Sequence, residues 1–573
     1  MSYQTPLGKI KRVFIATLLL QAALICTAIQ ATSAEENTMT IAIGDWAGIG
    51  TDPTLYVRAF PGVGTIQTHH QYTHLEPLIT LDNKGNIIPW LAESYEVSDD
   101  NKAITFHLRK GIRFADGKPL NASVLKFNFD RFLTFGFVAA FGKNGTKSPL
   151  YVNYEHSDVA DEYTLILHFT EGWLDMPRDI AFTRIYGNFI HPGDVDPAWD
   201  IKGTLKKEKS FNGLGPYYVD ENESVSNQKI VLKRRHSWRD DYEFHKPRLD
   251  QIVLKLIKDP QVAVAALEKG EVDYISRYWN VPLDSLSGLE KNPAITIKTS
   301  PGSTMLYLTT AYWKEPFIGE DGILLRKAMC YALNRREMAE GAFRGYAKPA
   351  TNSMLLSQLK PDCPECCLMG YYYDLDKAKE LVARAGWSDK DGDGILDKNG
   401  KSLKNLDMVL TSDSGLAWQK ELGAIVKTQF RMIGIDVNIR MVDPSIYYNL
   451  RNTGDYDLKM WYTSGGAISS AGDFGTTFNW KGPSGSSTDS INDYSNHNNS
   501  LAVAIDGAKS SNSRDRQEEY LCQACNILFE EAGTIPLLFE MQYAVMNSRI
   551  KGFQLGPSKS YTELDNVMEC WAT

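Results

Sequence analysis

The chain has 573 residues, of which 43% are hydrophobic, 23% charged and 11% aromatic. This composition is typical of a globular protein and excludes a mostly disordered or collagen-like chain. At roughly 100–200 residues per domain, the length predicts two or three compact units. The net charge of -9 is scattered along the chain, which argues against nucleic acid as a partner, because phosphate binding needs a concentrated basic surface.

The N-terminal segment has the three parts of a secretory signal peptide. A basic cluster precedes an apolar run and a small-residue stretch, at Lys9, Lys11 and Arg12, residues 13–29 and residues 31–34. The pattern predicts that residues 1–34 direct export to the periplasm or the cell surface and are removed after Ser33 or Ala34. An uncleaved membrane anchor and a lipid on Cys26 stay open as alternatives.

The cysteines suit an exported protein. Beyond the predicted signal peptide they are Cys330, Cys363, Cys366, Cys367, Cys522, Cys525 and Cys570. Outside the cytosol such thiols tend to oxidise, so disulfides are favoured at the C-x-x-C spacings 363/366 and 522/525. Structural zinc is the alternative there, and the pairing stays open. The odd count leaves a thiol over, and Cys330, in an apolar helical run, is the expected buried free cysteine.

Strand and helix patterns alternate along the rest of the chain. Alternating or β-branched runs predict strands at residues 38–43, 104–109, 163–169, 251–257, 272–275 and 436–441. Amphipathic runs predict helices at residues 121–132, 262–269 and 418–432. Asn121 is the expected N-cap of the first helix, and Gly270 stops the second. This order predicts α/β lobes with largely parallel sheets, and the Ser-, Gly- and Asn-rich residues 465–499 are expected to form a long surface loop.

An ordered series of short motifs leads to a known family. The series consists of Glu76-Pro-Leu78, Asp116-Gly-Lys-Pro-Leu-Asn121, Gly213-Leu-Gly-Pro-Tyr217, and residues 88–95, 106–114, 267–274, 325–335, 373–381, 385–387 and 432–437. In this order and spacing the chain resembles the extracytoplasmic solute-binding proteins of the dipeptide, oligopeptide and nickel class (family 5) of ABC transporters. Within the family it most resembles the nickel and metal-chelate binders. The resemblance runs from about residue 41 to residue 573.

The resemblance implies an α/β fold of the two-lobed periplasmic-binding-protein kind (class II type, with an extra subdomain), its lobes joined by two hinge strands. The implied parts are lobe I at residues 35–300, its extra subdomain at about 85–215, lobe II at 301–537, and a return to lobe I at 538–573. Hinges are expected near residues 305–308 and 535–538. Closure of such lobes around a ligand excludes water.

The function implied is that of a transport binding protein, which captures a small solute and delivers it to an ABC permease with its ATPase subunits. The expected ligand is nickel or another metal held as an organic chelate, and the protein is expected to be a monomer that requires no cofactor. A di- or oligopeptide binder is the main alternative, and a ligand sensor or receptor is a lesser one. The sequence contains no nucleophile–base arrangement or phosphate loop, so we do not expect an enzyme.

The nickel and metal-chelate binders also supply the candidate ligand site by resemblance. Trp46 and Tyr56 fall in segments similar to the pocket segments of those proteins, and aromatic rings there either stack on a ligand or pack in the core. Arg184 ends a segment that resembles the strand whose arginine grips chelator carboxylates, a task that suits a guanidinium. Its alternative is a surface ion pair. Tyr447 resembles a pocket tyrosine.

Two departures from the nickel binders keep the peptide alternative open. Those proteins have an aromatic residue where this chain reads Thr463-Ser-Gly-Gly-Ala467, and they can supply a metal-binding histidine from the loop that follows. Residues 465–481 contain no histidine. Peptide binders usually carry an aspartate in this region that pairs with the peptide amino terminus, and Asp473 is the candidate for that role.

Two further groups have the residue types of metal ligands. His70 and His74 have the i, i+4 spacing of paired ligands on a helix, although polar surface residues are the simpler interpretation. The stretch with Asp389, Asp391 and Asp393 begins like a calcium loop. An EF-hand requires a glutamate at its twelfth position, where this chain has Gly400, so calcium is not expected.

Overall fold

The computed structural model describes residues 37–44, 73, 76–82, 86–135, 153–183, 189–194, 212–225, 227–236, 247–276, 281–352, 365–412, 418–464, 499–555, 567 and 569–573. Its strands are β1 (Thr38–Ile43), β2 (Ile79–Leu81), β3 (Ile87–Pro89), β4 (Ala92–Val97), β5 (Ala103–Leu108), β6 (Tyr154–Asp161), β7 (Thr164–Phe169), β8 (Tyr217–Val219), β9 (Lys229–Arg234), β10 (Gln251–Leu256), β11 (Tyr274–Ile275), β12 (Ile295–Thr310), β13 (Ala347–Pro349), β14 (Asp397–Lys398), β15 (Lys401–Ser402), β16 (Leu406–Thr411), β17 (Val437–Val442), β18 (Leu458–Ser464), β19 (Thr534–Asn547), β20 (Ile550–Lys551) and β21 (Trp571–Ala572). Its helices are α1 (Ala122–Phe135), α2 (Met176–Thr183), α3 (Pro260–Glu268), α4 (Leu283–Leu289), α5 (Gly319–Tyr331), α6 (Arg335–Phe343), α7 (Leu375–Arg384), α8 (Trp418–Arg431), α9 (Pro444–Thr453), α10 (Asn499–Ser510) and α11 (Arg514–Glu531).

The elements expected from local patterns are confirmed with small changes at their ends. Asn121 caps α1, because its side-chain oxygen accepts a hydrogen bond from the Val124 N–H at 3.0 Å. Helix α3 begins at Pro260 behind the cap Asp259. It ends before Gly270, which has a left-handed φ of 72°. These ends depend on one residue and its near neighbours, which is why the sequence alone located them.

The expectation of largely parallel sheets is wrong. Within the described residues the largest sheet has 11 strands, in the order β17-β16-β18-β12-β19-β11-β1-β10-β9-β8, with β13 paired to β19. Pairing is parallel between β1 and β10 or β11 and between β16 and β17 or β18. The other pairs of this sheet are antiparallel, as is a separate four-stranded sheet β4-β5-β7-β6. The antiparallel partners include neighbours in sequence, such as β8 and β9, and distant strands, such as β12 and β19. Local periodicity does not reveal which strands pair or in which direction.

The pair β12–β19 connects the two sides of the large sheet. Their register runs from Ile295 opposite Asn547 to Thr309 opposite Thr534, and it shifts between Pro301 and Met305. Gly302 lies in this shift, where a Cβ would come within 2.0 Å of the Glu540 carbonyl oxygen. The two strands therefore approach each other more closely here than any residue with a side chain permits.

Separate hydrophobic cores lie on the two sides of this pair. One side has a core on β1, β9 and β10, with members such as Ile41 and Leu254, and the four-stranded sheet covers another, with members such as Phe106 and Leu167. The other side has a core that includes Leu325 and Val426. Each core is buried by its own helices and strands, so the sides are independently packed units.

The start of β19 is fixed by the motif at residues 325–335. Asn334 accepts a hydrogen bond from the Glu337 N–H and so begins α6. Arg335 is 3% exposed, and its Nε donates to the Pro536 carbonyl oxygen at 2.8 Å. A buried guanidinium needs such acceptors, because burial without them would cost several kcal/mol. The motif thus ties a helix to the start of β19.

Two disulfides join the short 3-10 helix Glu365–Leu368 to α11. They are Cys366–Cys522 and Cys367–Cys525. The C-x-x-C spacing in α11 places both sulfurs on one helical face, and the adjacent cysteines of the other segment meet them. The pairing left open by the sequence therefore runs between the two clusters. Cys363 lies outside the described residues.

The prediction of a buried free thiol at Cys330 is confirmed. The side chain is fully buried in α5. Burial raises the pKa of the Cys330 thiol to about 12, which keeps the sulfur protonated and unreactive at neutral pH. Cys570 is a second buried free thiol.

We predict that Gly302→Ala lowers the free energy of unfolding by about 1–3 kcal/mol, because the new methyl group meets a paired backbone oxygen that cannot retreat. Urea denaturation followed by tryptophan fluorescence measures this. Gly288→Ala in α4 is the matched control: nothing lies within 4 Å of its Cβ position, so alanine there stabilises the helix by up to about 1 kcal/mol. Equal effects of the two substitutions would contradict the proposed close approach.

We also predict that the two disulfides stabilise non-additively. They close nearly the same long loop, with sequence separations of 156 and 158 residues. With one bridge intact, the other closes only a small ring, so Cys366→Ser/Cys522→Ser costs about 2 kcal/mol in chain entropy, whereas serine at all four positions costs about 7 kcal/mol. Urea denaturation of the three proteins tests this, and a single-bridge loss as large as the double loss would contradict it.

Candidate functional site

Most of the predicted ligand residues lie outside the described part of the chain. These are Trp46, Tyr56, His70, His74, Arg184 and Asp473. Residues 1–36 also lie outside it, as do residues 465–498 of the loop expected at residues 465–499. Their roles stay predictions. Tyr447 and the elements that flank the other positions are described.

The segment before Arg184 differs from the strand that the resemblance implied. Residues Met176–Thr183 form helix α2. Met176, Ile180 and Ala181 are buried at the i, i+4 and i+5 spacing of one helical face. This segment packs on the core of the four-stranded antiparallel sheet and does not pair with one of its strands. The helical spacing of its apolar residues therefore determines its structure.

Tyr447 is fully buried on α9 beside β18. Its hydroxyl donates to the Met460 carbonyl oxygen at 2.7 Å. Its ring stacks on Trp461 with centroids 4.9 Å apart. The neighbouring side chain on α9, Tyr448, is 41% exposed and meets Trp461 edge-on. A ligand contact by Tyr447 stays a prediction. In this structure the Tyr447 ring packs against the indole ring of Trp461.

This aromatic group lies against a strand of the connecting pair. Trp461 is opposite Tyr307 of β12, and Tyr462 is opposite Leu306. Strand β18 extends to Ser464, so Thr463 and the serine, which replace the aromatic residue of the nickel binders, still pair with β12. Rings of this size are rigid and have few rotamers, so they form a firm wall next to the expected hinge at residues 305–308.

A polar contact joins Asp175, the residue directly before α2, to α11 across 342 residues of sequence. Gln517 Nε2 donates to Asp175 Oδ2 at 2.9 Å, and Arg514 Nη2 lies 3.5 Å from Asp175 Oδ1. Asp175 and Gln517 are both buried, at 6% and 1% exposure. Asp175 borders the core under the four-stranded sheet, whereas α11 belongs to the opposite side. The contact therefore holds the two sides of the molecule together by hydrogen bonds.

A second carboxylate at this contact has an altered acidity. Burial raises the pKa of Asp179 to about 7, and repulsion by Asp175 acts in the same direction. The hydrogen bond from Trp173 Nε1 to Asp179 Oδ2, at 2.9 Å, partly opposes this shift, as do the charges of Lys509 and Arg178. The contact thus contains a carboxyl group that gains or loses a proton near neutral pH.

The acidic loop at Asp389, Asp391 and Asp393 is exposed, with carboxylate oxygens within 4.8 Å of one another. Asp389 accepts from the N–H groups of Gly392 and Gly394, and Asp393 accepts from that of Ile395. Lys404 Nζ lies 3.1 Å from Asp393 Oδ2. Backbone donors and a lysine satisfy these carboxylates, so nothing here supports a calcium site.

Residues 86–485 match the family described as "Bacterial extracellular solute-binding proteins, family 5 Middle". The chain belongs to this family. The nickel-binding periplasmic protein of Escherichia coli (strain K12) is 28% identical over 392 residues, which cover 67% of this chain and 68% of that protein. The glutathione-binding protein GsiB of Salmonella choleraesuis (strain SC-B67) is 25% identical over 502 residues, covering 85% and 87%.

The fold also agrees with a solved structure, that of NikA from Brucella suis in complex with Fe(III)-EDTA. The TM-score is 0.77 at 20% identity, and the match covers 93% of this chain and 100% of that one. The predicted two-lobed α/β fold is thereby confirmed. The separate cores on the two sides of β12 and β19 agree with a two-lobed fold.

Membership in family 5 indicates the class of activity, the partners and the location of the protein. The family's proteins are periplasmic and bind small ligands for ABC transporters, working with permease and ATPase components. They are solute-binding proteins rather than enzymes, which confirms that expectation for this chain. In the part of the chain that the structure describes, no helix is long and apolar enough to cross a membrane.

Sequence reasoning missed the contact between Asp175 and Gln517 and the support of Trp461 by Tyr447. The first joins residues too distant in sequence for any local pattern. The second had a faint signal, since Tyr447-Tyr448 and Trp461-Tyr462 are adjacent aromatic pairs within the consecutive elements α9 and β18.

We predict that Asp179→Asn changes how stability depends on pH. Because folding raises the pKa of Asp179 above its unfolded value near 3.9, the wild-type protein loses stability as pH rises from about 4 to 7. Asparagine keeps an acceptor for Trp173 but carries no charge, so the variant gains up to about 4 kcal/mol relative to wild type at pH 8 and little at pH 4. Urea denaturation at a series of pH values measures the difference.

Asp220→Asn is the control with the opposite sign. A hydrogen bond from Lys233 lowers the pKa of Asp220, so this carboxylate stabilises the wild type at pH values above the usual carboxyl pKa. The variant lacks this gain, and its stability falls relative to the wild type as pH rises. A pH-independent effect of Asp179→Asn would show that Asp179 is charged in the folded state throughout this range.

Proposed function

We propose that this protein binds a metal as an organic chelate, with nickel as the first candidate, and delivers it to an ABC permease. Similarity to the nickel-binding periplasmic protein of E. coli over two thirds of both chains carries this proposal. The motifs at Trp46, Tyr56 and Arg184 support it by resemblance. A carboxylate-bearing chelator suits Arg184, because a guanidinium holds a carboxylate through two parallel charged hydrogen bonds.

Binding would occur between the lobes, and the described contacts support this. In sequence, Arg184 directly follows α2, and Asp175 at the start of that helix already contacts α11 of the other lobe. A ligand held near the end of α2 and against the Trp461 wall would add contacts that exist only when the lobes are together. Such contacts shift the population towards the closed state.

The arrangement of the chain completes the proposal. Residues 1–34 serve as the signal peptide, and residues 35–300 with 538–573 form lobe I, with the extra subdomain at about 85–215. Residues 301–537 form lobe II. The hinges are near residues 305–308 of β12 and 535–538 of β19, which pair with each other directly after the register shift at Pro301 and Met305. The mature protein acts as a monomer.

A peptide ligand is the second candidate. The GsiB relative matches a larger share of this chain than the nickel-binding protein does, and glutathione is a tripeptide. In this alternative Asp473 pairs with the ligand's amino group, and Arg184 still holds a carboxylate.

Native mass spectrometry with elemental analysis of the gently purified exported protein decides between the candidates. The chelate proposal predicts a bound nickel-sized mass together with a small organic acid or amino acid. A series of short-peptide masses without metal would overturn that proposal in favour of the peptide alternative.

We predict that Arg184→Ala weakens binding of an anionic nickel chelate by about 1.5–3 kcal/mol, the range for a hydrogen bond to a charged group. Isothermal titration calorimetry with the co-purified ligand measures this. Arg384→Ala is the matched control, since that arginine lies exposed on α7 and pairs only loosely with Glu380 at 3.4 Å. Unchanged affinity in the first variant would remove Arg184 from the site.

A further inference from the structure

A compact group of side chains of the types that bind metals lies on the outer face of the four-stranded sheet. His156 and Asp158 are on β6, and His168 is on β7. Their ligand atoms all lie within 4.8 Å of one another. We propose that these three residues form a binding site for a divalent transition-metal ion such as zinc, separate from the ligand cleft and independent of the function proposed above.

A β-bulge creates this juxtaposition. On β7, Leu165, Leu167 and Phe169 point into the core, so His168 points outward. On β6, Tyr154 is paired with Phe169 and His156 with His168, which leaves Glu155 as an extra residue. In a regular pairing without the bulge, strand alternation would place Glu155 opposite His168 and turn His156 towards the core. Bulges re-aim side chains in this way, often at functional positions.

The distances suit a small metal ion. Asp158 Oδ2 lies 3.3 Å from His168 Nε2 and 3.6 Å from His156 Nε2. Two ligands at 2.0–2.1 Å from a tetrahedral zinc ion are about 3.3 Å apart, so the carboxylate oxygen is already at ligand spacing from both imidazoles. His168 Nε2 is a buried atom and makes no hydrogen bond within the described residues.

The two imidazole rings are stacked, with centroids 4.4 Å apart and an angle of 10° between their planes. Binding requires them to rotate until both Nε2 lone pairs converge on one point. His156 has the space to do so, because its side chain is 49% exposed. The exposed side also leaves the remaining coordination positions to water.

The charges and the surrounding groups favour a divalent cation of the zinc, copper or nickel type. Two neutral imidazoles and one carboxylate form a donor set that such ions prefer over calcium or magnesium. Glu155 Oε2 lies 3.7 Å from His156 Nδ1, on the side of the ring away from Asp158. A carboxylate that closes to hydrogen-bond distance of this nitrogen would orient the histidine as a metal ligand.

The test is zinc chloride titration of the mature protein, freed of metal by dialysis against a chelator, with calorimetry as the readout. The wild type is expected to bind one zinc ion at this site, and His168→Ala and Asp158→Asn each weaken it by at least about tenfold, since even outer-shell losses cost that much. Zinc is expected to raise the melting temperature of the wild type but not of these variants.

Two controls separate this site from others. His107 points outward from β5 on the same face of the sheet, and its Nε2 lies 3.8 Å from Glu96 Oε1. The variant His107→Ala is expected to leave zinc binding unchanged. The double variant His70→Ala/His74→Ala is also expected to keep it. The proposal is overturned if the wild type binds no zinc, if His168→Ala and Asp158→Asn bind it as the wild type does, or if only the double variant loses it.

Discussion

The structure depends on one pair of antiparallel strands. β12 and β19 are 16 and 14 residues long, and the strands and helices of both lobes assemble along them. Because each lobe has its own buried core, the lobes need no mutual apolar contact to stay folded. The register shift and the close approach at Gly302 concentrate the irregular backbone of this pair in one short stretch. Relative motion of the lobes is then a matter of a few residues, as hinge closure requires.

This dependence also explains how far the sequence could be interpreted. Strands such as β1, the Asn121 cap and the stop at Gly270 follow from local rules, and the order of motifs was enough to identify the family. The strand β12 contains Pro301 and Gly302, which by local rules interrupt a strand, so only its partner β19 shows that it is continuous. The same holds for α2, where the core to be covered decided between helix and strand. The continuity of β12 and the helical structure of α2 depend on long-range partners, which no pattern in a single sequence encodes.

Helix α11 takes part both in the two disulfides and in the polar contact with Asp175. One face of it carries Cys522 and Cys525, which two disulfides hold to the segment Glu365–Leu368. The first turn of the same helix presents Arg514 and Gln517 to Asp175, which borders the core on the opposite side of the β12–β19 pair. A helix that is covalently fixed within its lobe loses little further freedom when its end engages a partner. The two sulfur bridges therefore keep the polar contact between lobes in a single geometry.

The polar character of that contact suits lobes that must also separate. An apolar interface of similar area would hold the lobes together without ligand, whereas a hydrogen bond such as that from Gln517 to Asp175 contributes only about 0.5–1.5 kcal/mol net. Burial raises the pKa of the Asp179 carboxyl group next to this contact, so its ionisation changes the charge that is buried there. A ligand needs to supply only a few kcal/mol of contacts made solely in the closed state to decide the equilibrium, which is the condition for a binding protein that must both capture and release its solute.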